Sequence, residues 1–170
     1  SFWDGYTAEA FIKMDKDWTS DKHRWGNALG RVGNRGALPG YMGGDPEASS
    51  VLFAISNLRE VQWEVVPASN ASYSQTNWSG EIMRDTWYHI AVVCNPTTRE
   101  TILYVEGAPV LRNVLNGQIG MRSASLNNPW ILGASWWDGQ RVDGFFGSIG
   151  EVRLVPKPLT PDQWLTARRK

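Results

Sequence analysis

Apolar and polar residues alternate with period two from Thr7 to Met14. Ala8, Ala10, Ile12 and Met14 share one side, and Thr7, Glu9 and Lys13 the other, which predicts a half-buried strand of an antiparallel sheet. The stretch from Trp87 to Cys94 is patterned differently. Trp87, Ala91 and Val93 have one parity and Tyr88, Ile90 and Val92 the other, so both faces are apolar. A strand of that kind belongs in the middle of a sheet, covered on each side. A polar turn follows over Asn95–Glu100, and Ile102 to Glu106 forms a second β-rich arm, so the pair predicts a hairpin. Gly107 permits positive φ at its end, and Pro109 cannot continue a central ladder.

The remaining pattern is one of short strands and turns. Asp15 to Trp25 is charged and irregular, and Asn27 to Val32 predicts a strand. Glycines and prolines from Gly33 to Pro46 mark a long loop. Val51–Ser56 and Val61–Val66 read as a hairpin around Asn57–Glu60, and Trp78 to Met83 leads into the double-faced arm. Leu111 to Leu126 is weakly patterned. Trp130 to Trp136 reads as a strand that enters a turn over Trp137-Asp138-Gly139-Gln140, where Asp-Gly is a hairpin step. In the last strand Phe145, Gly147 and Ile149 share a face while Val152 and Leu154 have the other parity, so a bulge is expected near Gly150. Thr160, Pro161 and Gln163 have the N-cap, N1 and capping-box places of a short helical turn, which would dock Trp164 and Leu165. The expectation is an all-β, two-sheet antiparallel β-sandwich, one domain over residues 1–170.

Charge and composition narrow the partners. The chain has 17 basic and 17 acidic residues. That balance argues against nucleic acid or an anionic membrane, which need a clustered basic surface. A single cysteine, Cys94, excludes an internal disulfide and sits in the apolar arm as a buried thiol. No apolar run has the length of a bilayer span. The chain starts without an initiating Met or a signal peptide, as expected of a module cut from a longer protein. The unusual quantity is tryptophan, with 10 in 170 residues. So many indoles in a small β domain imply that some are exposed for stacking.

Catalytic patterns are missing. The two histidines are His23, in the charged loop, and His89, inside the double-faced arm. There is no G-x-S-x-G elbow, no opposed carboxylate pair on one strand and no H-E-x-x-H or C-x-x-C spacing, so the segment is not expected to be an enzyme. Sugar rings present C–H faces to indoles and hydroxyls to planar polar side chains. Trp63, Trp78, Trp136 and Trp137 are the candidate platforms, with Arg31, Gln62, Asn77 and Asp138 as hydroxyl partners, near the long glycine-rich loop and the Asp138-Gly139 turn. Trp63 and Trp136 have a core role as the equal alternative. Trp136 and Trp137 cannot both point inward on one strand, which favours Trp137 as the exposed ring.

Two motifs carry a family resemblance. Trp87-Tyr88-His89-Ile90-Ala91-Val92-Val93, a short polar turn and Leu103-Tyr104-Val105-Glu106-Gly107 resemble the central signature of laminin-G-like domains, W-x-H-V-A then L-Y-V-D/N-G. Phe145 to Leu154 followed by Pro158-Leu159-Thr160 resembles the closing strand of the same concanavalin A-like group, F-x-G-x-I-D-E-V-R-I-Y. The resemblance implies a jelly-roll sandwich in which His89 is structural. It also implies a structural calcium held by hard oxygen ligands. Gly150 replaces one ligand aspartate of that motif, leaving Asp4, Asp138, Asp143 and Glu151 as candidates. Leu58–Trp63, Thr76–Trp78 and Pro129–Gly133 resemble domains attached C-terminally to bacterial calcineurin-like metallophosphoesterases. The resemblance thus implies a carbohydrate-binding or surface-tethering module of a larger secreted or cell-surface bacterial enzyme, or an interdomain module that packs on a neighbouring catalytic domain.

Overall fold

The computed structural model of the chain describes residues 2, 4–32, 49–68, 74–117, 119–121, 129–137 and 140–166. The long loop from 33 to 48 and the Asp138-Gly139 turn lie outside the described residues.

Two five-stranded antiparallel sheets pack face to face. The first has the order β12-β1-β6-β7-β8, built from β1 (Tyr6–Met14), β6 (Tyr88–Asn95), β7 (Glu100–Val105), β8 (Ala108–Asn116) and β12 (Gly147–Val155). The second has the order β5-β4-β3-β2-β9, built from β2 (Asn27–Val32), β3 (Ser49–Ile55), β4 (Glu60–Val65), β5 (Gln75–Glu81) and β9 (Trp130–Leu132). A two-stranded ribbon, β10 (Ser135–Trp137) with β11 (Gln140–Val142), completes the strands. A one-turn helix, α1 (Ser20–His23), interrupts the irregular segment after β1.

The central hairpin lies where its pattern places it. β6 is the middle strand of its sheet, and its turn joins it to β7 in the register Asn95↔Glu100. Ile90, Val92 and Cys94 enter the core between the sheets with Ala8, Ala10, Ile12 and Met14 of β1. Ala91 and Val93 enter a smaller apolar cluster on the outer face, under Leu159 and Trp164. The C-terminal turn supplies that cover. Gln163 Oε1 accepts from Thr160 N at 3.1 Å, the expected capping contact, and the turn Pro161–Gln163 lays Trp164 and Leu165 on the sheet. Thr7 Oγ1 ties the approach down, donating to Lys157 O at 2.9 Å and accepting from Leu159 N at 2.8 Å.

The structure corrects three sequence expectations. β1 is buried on both faces, since Thr7 and Glu9 lie beneath the C-terminal segment and Phe11 packs beside His89 and Gly150. A full strand, β8, runs from Ala108 to Asn116, into the weakly patterned region that begins at Leu111. Pro109 is tolerated there because β8 is the sheet edge, where one side of the ladder needs no donor. The strand expected from Trp130 to Trp136 is two strands, broken at Gly133, whose φ of 75° ends the extended run. The bulge near Gly150 is present, for β12 spends three residues from Val152 to Ile149 where β1 spends two from Ala10 to Ile12. Among the described residues no helix is long and apolar enough to cross a membrane.

Candidate functional site

The second sheet assigns the tryptophans to faces by register. Phe53, Trp63 and Asn77 pair across three strands, and Phe53 and Trp63 are core residues. Their neighbours Ala54, Gln62 and Trp78 therefore form the row on the outer face. Gln62 Nε2 donates to Glu64 Oε2 at 3.1 Å, so a fixed amide–carboxylate pair lies next to the Trp78 indole. Both polar side chains are buried, although the face they occupy is the outer one.

A second indole meets Trp78. Trp25 packs edge-on against it, with centroids 6.2 Å apart and planes at 67°. Trp25 is 39% exposed, and its φ is 66°. A bulky residue in left-handed conformation costs energy and is held only where its surroundings demand it, most often at functional sites. Here its N–H donates to Ile55 O at 2.6 Å, which pins the chain at the end of β3 and projects the ring outward. Trp25 was missed as a site residue because it falls in the charged, irregular stretch before Gly26. An indole set between His23-Arg24 and a glycine, with no apolar neighbours to pack on, was the available signal.

The β10–β11 ribbon bounds this face on the β2 side. A Cβ on outward-facing Gly30 would stand 3.1 Å from Ala134 O and 3.6 Å from Ser135 Cα, so the ribbon lies against the sheet where glycine leaves room. Trp136 sits on the ribbon, half-buried and paired with Arg141. Trp137 pairs with Gln140, but its side chain and Asp138 lie outside the described residues.

The other candidates are elsewhere. Trp63 is fully buried, and its Nε1–H donates to Tyr6 Oη at 3.1 Å across the sandwich. Asn77 is also fully buried and donates to Thr101 O of the opposite sheet at 3.1 Å. Arg31 shares the inner side with Val51, is 8% exposed, and lies 5.2 Å from the Trp130 ring centroid. Burial pulls its guanidinium below the ordinary value. These three hold the sandwich together and offer no open surface to a ligand. Asp4, Asp143 and Glu151 are exposed and sit on different elements, Asp143 Oδ2 accepting from Ser135 Oγ at 3.1 Å. Among the described residues no three His, Cys, Asp or Glu side chains converge to hold a metal ion.

Both histidines are engaged in packing. His23 stacks on Phe146 with centroids 3.9 Å apart and planes at 4°. His89 is 1% exposed, donates from Nε2 to Glu9 Oε1 at 3.0 Å, and lies 5.9 Å from Trp164. Glu9 also accepts from Leu165 N at 2.8 Å and from Arg153, at 2.8 Å for Nε.

The sequence profile of the Concanavalin A-like lectin/glucanases superfamily matches residues 3–163. Among solved structures, the CBM40 of the Ruminococcus gnavus IT-sialidase bound to alpha2,3 sialyllactose is similar, with a TM-score of 0.68 and 15% identity over 97% of this chain and 83% of that one. The same module bound to alpha2,6 sialyllactose gives a TM-score of 0.64, again at 15% identity, over 95% and 81% of the two chains. A leech intramolecular trans-sialidase gives 0.67 at 12% identity, over 97% of this chain and 23% of that one. Identities this low carry the fold alone. No curated protein matches the sequence.

Proposed function

We propose that this chain, which belongs to the concanavalin A-like lectin/glucanases superfamily, is a non-catalytic carbohydrate-binding module of a larger secreted or cell-surface bacterial enzyme. The observation that carries the reading is the Trp25–Trp78 pair on the outer face of the second sheet, beside Gln62 and Glu64. Two indoles at a steep angle offer one ring for a sugar face and a second as a wall. The positive φ of Trp25, which aims its ring at the outer face beside Trp78, supports it. The non-catalytic part rests on the histidines, both used in packing, and on the scattered carboxylates. The parent enzyme we infer is a calcineurin-like metallophosphoesterase, from the likeness of Leu58–Trp63, Thr76–Trp78 and Pro129–Gly133 to domains found beside such enzymes. D-x-H and G-N-H-E/D motifs in the upstream sequence would establish it, and another catalytic signature there would replace it.

One observation favours the interdomain alternative. A cleft of about 570 Å³ at the end of the sandwich is lined by Trp18, Leu58, Arg59, Glu81 and Arg84 among others. Leu58 is 63% exposed at its rim. Apolar tips among paired charges suit a modest, polar domain–domain contact. A glycan array on the isolated chain, run with and without EDTA, separates the readings. Saturable binding that EDTA leaves unchanged is expected of the Trp25–Trp78 face, where the described residues gather no metal-holding set. An array with no bound glycan favours the interdomain reading.

A further inference from the structure

The outer face of the first sheet carries a concavity of its own. It measures about 460 Å³ and is lined by Phe11, Trp87, Glu106 and Gly150. Strand parity puts it there. Phe11 pairs with His89 on the outward side that also carries Glu9 and Ala91, and Trp87 precedes His89 by two residues. The Trp25–Trp78 face lies on the other sheet, so either place can bind without the other.

Its wall, floor and polar group are each built by a specific feature. The wall is Trp87, 47% exposed, with Lys13 Nζ 5.5 Å from its ring centroid and 3.6 Å from Asp85 Oδ1. The floor is Phe11, whose ring rests 5.1 Å from the imidazole of His89. Gly150 keeps the space open: a Cβ there would stand 3.1 Å from Phe11 Cβ and 3.5 Å from Trp87 Cζ3. The polar group is Glu106, whose Oε1 accepts from His89 N at 2.5 Å. Glu106 is exposed and has a φ of 50° in the tight β7–β8 turn, where Asn, Asp or Gly would be unstrained. The strained turn positions a long carboxylate over the cleft that the shorter residues would not place there. Glu106 and Gly150 are also the two places where the chain departs from the D/N-G and I-D-E motifs quoted above, and both line this one cleft.

We propose that the cleft is a subsite for one neutral hexopyranose residue, its C–H face stacked on Trp87 and its hydroxyls hydrogen-bonded to Glu106. Size and chemistry set the class. The volume is at the small end of ligand pockets, so it suits a single ring. An indole beside a carboxylate acceptor matches a sugar's apolar face and hydroxyl edge. Glu106, with exposed Glu151 next to Gly150, makes the surroundings hostile to a carboxylated sugar, and Lys13 is already committed to Asp85.

The test follows the Trp87 indole N–H by nuclear magnetic resonance in the full chain, assigned by its loss in Trp87→Phe. Lactose serves as the neutral probe and N-acetylneuraminic acid as the acidic one. Lactose is expected to shift the Trp87 resonance saturably at millimolar concentration, while the acidic sugar leaves it in place. Glu106→Gln keeps an acceptor for His89 N but loses the charge, and should weaken the lactose response about tenfold. Gly150→Ala should abolish it while the other indole resonances keep their positions. The response is expected to persist in Trp78→Ala, which separates this subsite from the face on the second sheet. A Trp87 resonance that lactose does not move, that only the acidic sugar moves, or that responds equally in Glu106→Gln would overturn the proposal.

Discussion

Trp63→Ala is expected to destabilise the protein by about 3–5 kcal/mol, the range for deleting a large aromatic from a packed core. Trp63 is fully buried, meets Phe53 edge-on at 5.3 Å and 83°, and leans on Tyr6 at 5.8 Å. Its truncation opens a cavity between the sheets and removes the partner of Tyr6 Oη, a buried hydroxyl left without that contact. Burial pushes the Tyr6 phenol well above its ordinary value, with the nearby Cys94 thiol adding to the rise, so the group remains a neutral hydroxyl that needs its partners. Trp63→Phe keeps a six-membered ring but loses the N–H and the rest of the indole, and should cost less than the alanine change, about 1–3 kcal/mol. Denaturant unfolding at constant m-value measures both. A midpoint for Trp63→Ala close to wild type would mean the ring is not the core residue described.

Glu9→Ala is expected to cost a comparable amount, about 3–5 kcal/mol, because breaking a buried charge network strands the remaining partners. Glu9 lies fully buried on the outer face of β1 and accepts from His89, Arg153 and Leu165 N. It therefore links β1, β6 and β12 to the turn that carries Trp164, and losing it should release that cover from Ala91 and Val93. The network also has a pH signature. Burial works against ionisation of Glu9, but the hydrogen bonds from His89, Leu165 N and Arg153 outweigh it and hold the carboxyl below its ordinary value. A carboxyl with a lower folded than unfolded pKa binds fewer protons when folded. Its contribution is complete above the unfolded value of about 4.3 and is lost as pH falls through the folded value. Thermal melts from neutral pH down to about 3 should thus show the gap between wild type and Glu9→Gln narrowing at the acid end. A gap that stays constant with pH would show that the charge of Glu9 does not matter.

The fold was legible where periodicity is local. β1 follows from alternation, the central hairpin from two β-rich arms around a polar turn, and the β12 bulge from the parity change after Ile149. β8 was not, because Ala108-Pro109 and Arg112-Asn113 interrupt a pattern that only an edge position excuses. The burial of Glu9 was also hidden. On sequence it is the polar half of an alternating strand, and the partners that bury it are 80, 144 and 156 residues away. For the site, sequence composition raised the expectation of exposed indoles but not which ones. Adjacent strands decide that: Trp63 and Trp78 look equivalent until the register Gln62↔Trp78 puts them on opposite faces. Trp25 depends on a backbone conformation that no propensity favours for tryptophan.

The proposed sugar site on the second sheet comes down to one paired measurement. The best-bound glycan from the array is titrated into wild type and Trp78→Ala, and both proteins are melted thermally. Loss of one stacking platform should weaken binding by about 1–3 kcal/mol, by analogy with bases stacked on aromatic side chains. The melting temperature should fall much less than in Trp63→Ala, because Trp78 is half-buried on the outer face rather than in the core. Unchanged affinity in Trp78→Ala would contradict this assignment, as would a wild type that binds no glycan at millimolar concentration.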